Sequence, residues 1–178
     1  MTDFNKILTT GPVDDGIVTT VVEIPKGSSL KAEYDRKAAI FILDRVEPSI
    51  FAKPTSYGFI PQTLDEDGDE LDTLIICDEP LPMGLVVSEA RIIGVLNFED
   101  DGEMDHKVVV VPADDRNTAN AYKTLEDLPA GLRNQIEHHF NHYKDLKKPG
   151  TTHVLGWGDV AEAKKIIKDC QERWAKEA

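Results

Sequence analysis

The densest chemistry in the chain lies at Asp65-Glu66-Asp67-Gly68-Asp69-Glu70-Leu71-Asp72, where five carboxylates fall within the six residues 65–70. Gathered without a counter-charge they would repel one another. A hard divalent cation removes that cost, because carboxylate oxygens are its preferred ligands. In a straight strand Asp67 and Asp69 would share a face and Asp72 would oppose them. A loop that turns at Gly68 before the next strand begins lets all three converge. The ordinary meaning of such a run is a solvated surface loop. A calcium loop of the EF-hand kind is excluded. Counted from Asp65, the sixth place holds Glu70 instead of glycine and the twelfth Ile76 instead of glutamate.

A second acidic segment, Asp100-Asp101-Gly102-Glu103-Met104-Asp105-His106-Lys107, also precedes a valine-rich run. Asp105 and Lys107 are two apart, so on an extended chain they point the same way. One can hold a cation while the other meets an anion that travels with it. Lys31 and Glu33 repeat the arrangement near the start of the chain.

Short runs rich in Val and Ile read as the strands that position these groups: Ile17 to Ile24, Ala39 to Arg45, Thr73 to Cys77, Val86 to Leu96 and Lys107 to Val111. Prolines such as Pro25, Pro48, Pro54, Pro61 and Pro112 fall between or beside them, where turns belong. Later the period changes. Leu128, Leu132, Ile136, Phe140 and Tyr143 form a helical stripe, with Pro129 in its first turn and Pro149-Gly150 as its stop. A last helix starts near Asp159, with Glu162 as capping-box partner and Val160, Ala163, Ile167, Cys170 and Trp174 as its buried stripe. The expectation is an α+β fold, mainly β, a closed or nearly closed barrel with helices packed against it.

At 178 residues the chain fits one domain over its whole length, 1–178. Thirty-three acids against 20 bases give a net charge of −13, which argues against binding to duplex nucleic acid or anionic membranes. Cys77 and Cys170 sit in apolar runs without paired spacing, as small core residues of a reducing compartment. No basic-then-apolar leader or apolar run of ~18 residues is present, so the cytoplasm is the expected location.

Taken in order, Val22-Glu23-Ile24-Pro25, Lys31-Ala32-Glu33, Asp44-Arg45, Tyr57-Gly58-Phe59-Ile60-Pro61, Asp67-Gly68-Asp69-Glu70-Leu71-Asp72, Asp100 through Lys107 and His142-Tyr143-Lys144-Asp145-Leu146 resemble the soluble inorganic pyrophosphatases of family I. The ordered set is far more specific than any one block. The resemblance implies a five-stranded OB-like barrel with the site at its mouth, and pyrophosphate as substrate. It implies several Mg2+ ions per site, with Mn2+ able to substitute. Asp67, Asp72 and Asp105 would bind magnesium directly, Asp100 would join Asp105 on the substrate-borne metal, and Glu23 and Glu33 would act through coordinated waters. Lys31, Arg45, Lys107, Tyr57, Tyr143 and Lys144 would hold phosphate oxygens, and Asp69 would be the base acting on the attacking water. The short length is like that of prokaryotic members, which favours a homo-oligomer and among these a hexamer. One departure is Glu70, where the family usually has proline. It bears on loop stiffness and metal affinity.

The residues suit that chemistry. Two cations bridging one water lower its pKa from ~15.7 toward neutrality. Guanidinium and ammonium groups offset phosphoryl charge, and tyrosines donate hydrogen bonds without adding any. Without the resemblance, Tyr57 and Tyr143 read as half-buried aromatics, and Arg45, Lys31, Lys107 and Lys144 as surface charges. His138, His139 and His142 read as the polar side of their helix, and Trp157 and Trp174 as packing residues. The non-enzyme alternative, an OB-like module binding nucleic acid or oligosaccharide, needs a basic, aromatic groove; net −13 and 7% aromatic residues argue against it. A metal-dependent hydrolase of another phosphoester is the second alternative, although no G-x-x-x-x-G-K loop is present.

Overall fold

Two adjacent strands explain most of the architecture: β5 (Asp72–Ile75) and β8 (Lys107–Pro112) run parallel, and both are almost entirely buried. Their runs are apolar without alternation because both faces are covered. Val108, Val110 and Ile75 turn one way, into a cluster completed by Ala163, Ile167 and Cys170 of the last helix, α3 (Val160–Glu177). Leu74, Val109 and Val111 turn the other way, against Ile136 and Phe140 of α2 (Ala130–His142). The structure is a computed structural model that describes residues 3–117 and 119–177; residues 1, 2, 118 and 178 lie outside the described set.

The other strands are β1 (Ile17–Ile24), β4 (Ser56–Phe59), the long β6 (Val86–Asp100), β7 (Glu103–Met104) and β9 (Thr152–Gly158). Pairings run β1 to β4, β4 to β5, β5 to β8 and β8 to β6, and β6 pairs in turn with β1. Strands β7 and β9 extend from β6. A separate hairpin, β2 (Leu30–Asp35) with β3 (Ile40–Val46), packs Tyr34 and Phe41 against Phe59 and Phe4 of the short α1 (Phe4–Ile7). The fold is therefore mainly β with few helices. Gly58 is required where β1 and β4 meet, because a Cβ there would lie 2.1 Å from the Val21 carbonyl oxygen.

Several expectations need correction. Helix α2 ends at His142, well before Pro149, and Leu128 precedes it as a buried residue outside the helix. Pro129 is its N-cap rather than part of its first turn. The chain leaves the helix where Tyr143 and Lys144 turn toward Asp100, and that contact overrides the periodicity. In α3 only half of the capping box forms. Asp159 accepts from the Glu162 backbone N–H at 2.9 Å, but the Glu162 carboxylate accepts from Asn97 instead. His139 is buried and stacked on Tyr143, while its neighbours His138 and His142 are exposed.

Candidate active site

The acidic turn before β5 is built from its ends inward. Gly68 takes φ +92°, the left-handed bend that glycine supplies without strain. The Asp65 and Asp69 backbones close the turn through an N–H to O contact of 2.8 Å, and Asp67 Oδ1 accepts from the Asp69 N–H at 3.1 Å. Asp65 faces the protein interior. Its Oδ2 accepts from the His106 backbone N–H at 3.0 Å, and its Oδ1 from the Arg173 guanidinium of α3 at 3.2 Å. Burial raises its carboxyl, but the hydrogen bonds from His106 outweigh this and hold it below the ordinary value. Glu70 is also buried: Asn5 Nδ2 donates to it at 2.7 Å, and Arg36 approaches its other oxygen at 3.7 Å. Asp65 and Glu70, the first and fifth carboxylates of the run, are thus buried anchors, and they leave Asp67, Asp69 and Asp72 facing the cavity.

Register decides what meets Asp72. The parallel pairing sets Asp72 beside Lys107, whose side chain is 2% exposed. Lys107 Nζ donates to Asp72 Oδ2 at 2.6 Å and also to Asp105, two residues before it on the same face. Tyr57, on β4 next to β5, donates its hydroxyl to the same Asp72 oxygen. The reading of Lys107 as a surface charge is overturned. Its ammonium bridges the two acidic segments and is held far above its usual pKa against burial by Asp105 and Asp72.

The remaining candidates surround this pair. Glu23 is aimed inward by an irregularity in the β1–β4 register between Val22 and Ile24, and its Oε1 accepts from the Tyr34 N–H at 2.7 Å. Burial, then the charge of Asp72, pushes its carboxyl well up. Lys31 on β2 contacts Glu33, and Asp44 at 3.2 Å. Glu23, Lys31, Glu33, Tyr57, Asp67, Asp69, Asp72, Asp100, Asp105, Lys107 and Tyr143 all line one cavity of about 760 Å³. Arg45 and Lys144 line a smaller adjoining hollow of about 280 Å³ that shares Tyr143. Arg45 pairs with Asp44 and Glu47. Lys144 pairs with Asp100, to which the Tyr143 hydroxyl also donates at 2.9 Å.

An acid-lined hollow faced by lysines and tyrosines, contributed by six separate stretches of chain, matches a known family. The inorganic pyrophosphatase family model covers residues 20–175. The chain belongs to the inorganic pyrophosphatase family. It is accordingly an enzyme. It is 67% identical over 178 residues to the inorganic pyrophosphatase of Neisseria meningitidis serogroup A, with both chains covered in full. It is 64% identical over 174 residues to that of Haemophilus influenzae, covering 98% of each. The crystal structure of an inorganic pyrophosphatase from Neisseria gonorrhoeae superposes with a TM-score of 0.94 at 65% identity, over 97% of this chain and 99% of that one.

Do the pyrophosphatase-family carboxylates here suit a divalent cation? Among the described residues, no group of three His, Cys, Asp or Glu side chains is gathered tightly enough to hold a metal as it stands. Magnesium does not need such a cage, because it keeps several waters and takes only one or two carboxylates. The donor set is all oxygen, and Lys107 and Lys144 offset only part of its negative charge. Asp72 is pushed up to about 7, first by burial and then, against the pull of Lys107, by Asp105. Asp67 is pushed up to about 6 by burial and Asp105. The fit is good.

That repulsion has a measurable consequence. With pKa values raised from 3.8, the folded protein binds protons at Asp67 and Asp72 more tightly than the unfolded chain does. Their contribution to stability is full below pH 3.8 and is lost as pH rises through about 6 and about 7. A bound cation neutralises the same charges. Millimolar magnesium is therefore expected to raise the Tm more on the alkaline side of that window than on the acid side. Thermal melts with magnesium and with chelator check this, and equal shifts on both sides would overturn it.

Sequence reasoning missed four residues at this site. Lys53 lines the main cavity between Tyr57 and Tyr143, Arg36 lines it while holding the acidic turn, and Asn5 and Arg173 hold that turn from outside the cavity. The only local signal for Lys53 is its place four residues before Tyr57, and the other three have none.

Proposed function

We propose that the chain hydrolyses inorganic pyrophosphate to two phosphates by direct attack of water, with Mg2+ as cofactor and Mn2+ as a substitute. The observation that carries this is the meeting of Asp67, Asp69, Asp72, Asp100 and Asp105 with Lys31, Lys107, Tyr57 and Tyr143 around one cavity. Asp67, Asp72, Asp100 and Asp105 would hold the ions, with Glu23 and Glu33 acting through their waters. Such ions, when bound, supply a water acidic enough to react near neutrality and offset charge on both oxygens of an in-line displacement.

The chain's own groups do the rest. Lys31, Arg45, Lys107 and Lys144 bind phosphoryl oxygens, and Tyr57 and Tyr143 orient them by hydrogen bonds. Among the described residues none makes a hydrogen bond or ion pair with the Asp69 carboxylate, and burial followed by the charge of Glu33 raises its pKa, which suits a base. It accepts the proton of the attacking water, and the departing phosphate takes the electrons of the broken anhydride bond. Phosphate release from pyrophosphate with millimolar magnesium, abolished by chelator, is the expected result. No release across the neutral range would sink the reading.

The return of the strand pairings from β6 to β1 supports a closed, five-stranded OB-like barrel. A homo-oligomer, with a hexamer favoured by the resemblance, belongs to the same reading. It is supported by apolar side chains left exposed, among them Ile50, Leu146, Val46 and Leu43. The cytoplasm fits the two free cysteines. No helix among the described residues is long and apolar enough to cross a membrane.

A further inference from the structure

The cations of the cavity differ in one respect. Lys107 bridges Asp72 and Asp105, Lys31 meets Glu33 and Asp44, and Arg36 meets Glu70, while Lys37 stands exposed at the rim. Lys53 is the half-buried one that meets no carboxylate among the described residues. Its place is not an accident of a long flexible side chain. The Lys53 backbone N–H donates to the Ser28 carbonyl at 2.9 Å, and its own carbonyl accepts from the Gly27 N–H at 2.9 Å. Pro54 after it favours an extended backbone. Its ammonium stands over three rings, 4.6 Å from the centroid of Tyr57, 5.4 Å from Tyr143 and 5.5 Å from Phe140.

Aromatic faces offset part of the cost of a desolvated cation, but they do not replace an anion. Burial, reinforced by the positive charges of Lys107 and Lys31, lowers Lys53 to about 8. The cavity therefore holds an ammonium with no carboxylate in direct contact among the described residues, although Asp72 acts on it from farther away. It lies between the two tyrosines proposed to orient phosphate. An incoming phosphoryl oxygen would supply the direct partner that this ammonium lacks.

The geometry points to Lys53 as a further substrate-binding residue, its ammonium donating to a phosphoryl oxygen seated between Tyr57 and Tyr143. This assignment rests on the proposed pyrophosphate hydrolysis. A charge-assisted hydrogen bond of this kind is worth ~10- to 100-fold in affinity. Lys53→Met keeps the apolar stem and removes the charge. Its KM for magnesium pyrophosphate is expected to rise ~10- to 100-fold, and inhibition by phosphate to weaken in step. Magnesium affinity measured without substrate should stay as in the parent, and Lys53→Arg should recover most of the loss. A purely structural role would lower the Tm while leaving KM and phosphate inhibition unmoved, and that result overturns the proposal. Calorimetric titration of inorganic phosphate into parent and Lys53→Met, with magnesium present, separates the two readings. A parent inert toward pyrophosphate sinks the hydrolysis, whereas equal phosphate affinity in both proteins sinks the role of Lys53.

Discussion

Asp69→Asn is expected to lower kcat ~10²- to 10⁴-fold, the usual range for loss of a positioned base, with magnesium affinity close to that of the parent. The neighbouring Asp72→Asn should behave differently. Asp72 is buried against Tyr57 and Lys107, so its loss removes a proposed magnesium ligand and should weaken metal binding itself. Among the described residues none makes such a contact with the Asp69 carboxylate. That carboxylate is turned to the cavity, with only the backbone of its residue spent on closing the acidic turn. Magnesium titrations of turnover on both variants separate the roles. Equal metal affinity together with equal turnover in the two would refute the division.

Lys107→Met should have the second largest effect, and on two observables. Without its ammonium, Asp72 and Asp105 lose the cation that joins them in a site where Lys107 is 2% exposed. Asp72 keeps its hydrogen bond from Tyr57 while Asp105 loses its cation, and breaking a buried ion pair costs about 3–5 kcal/mol, so the Tm in chelator should fall steeply. Magnesium should restore part of that loss, because it can meet the orphaned oxygens, but pyrophosphate turnover should not return with it. A chelated variant that melts like the parent would show that the bridge carries no weight in the fold.

Much of this site was legible in the residues because its acids are local in sequence. The turn at Gly68, the shared direction of Asp105 and Lys107 and that of Lys31 and Glu33 all follow from short-range geometry. The strands that were read, β1, β3, β5, β6 and β8, are those in which β-branched residues run together. Strand β4 was not read because Ser-Tyr-Gly-Phe is only four residues long and is interrupted by glycine; Gly58 is there for a close approach to β1 that no local pattern announces. Strand β9 likewise carries two glycines and exists because β6 is long enough to pair with it. Lys53 was invisible for the same reason. Its position is set by Gly27 and Ser28, and a lone lysine before a proline says nothing about what it faces.

The departure at Glu70 also finds its reason in contacts from far along the chain. A proline would stiffen the turn by restricting φ. Here the buried Glu70 carboxylate is held by Asn5 from α1 and by Arg36, whose guanidinium lies 5.7 Å over the Trp174 ring of α3. With Asp65 tied to Arg173, the segment that carries the proposed base Asp69 is fastened to elements near both chain ends. Surface segments usually open on their own at little free energy, whereas one secured in this manner opens only as its fastenings release. Amide protons of the turn should thus exchange in concert with those of α3, and damage at either extremity would be felt as a loss of turnover.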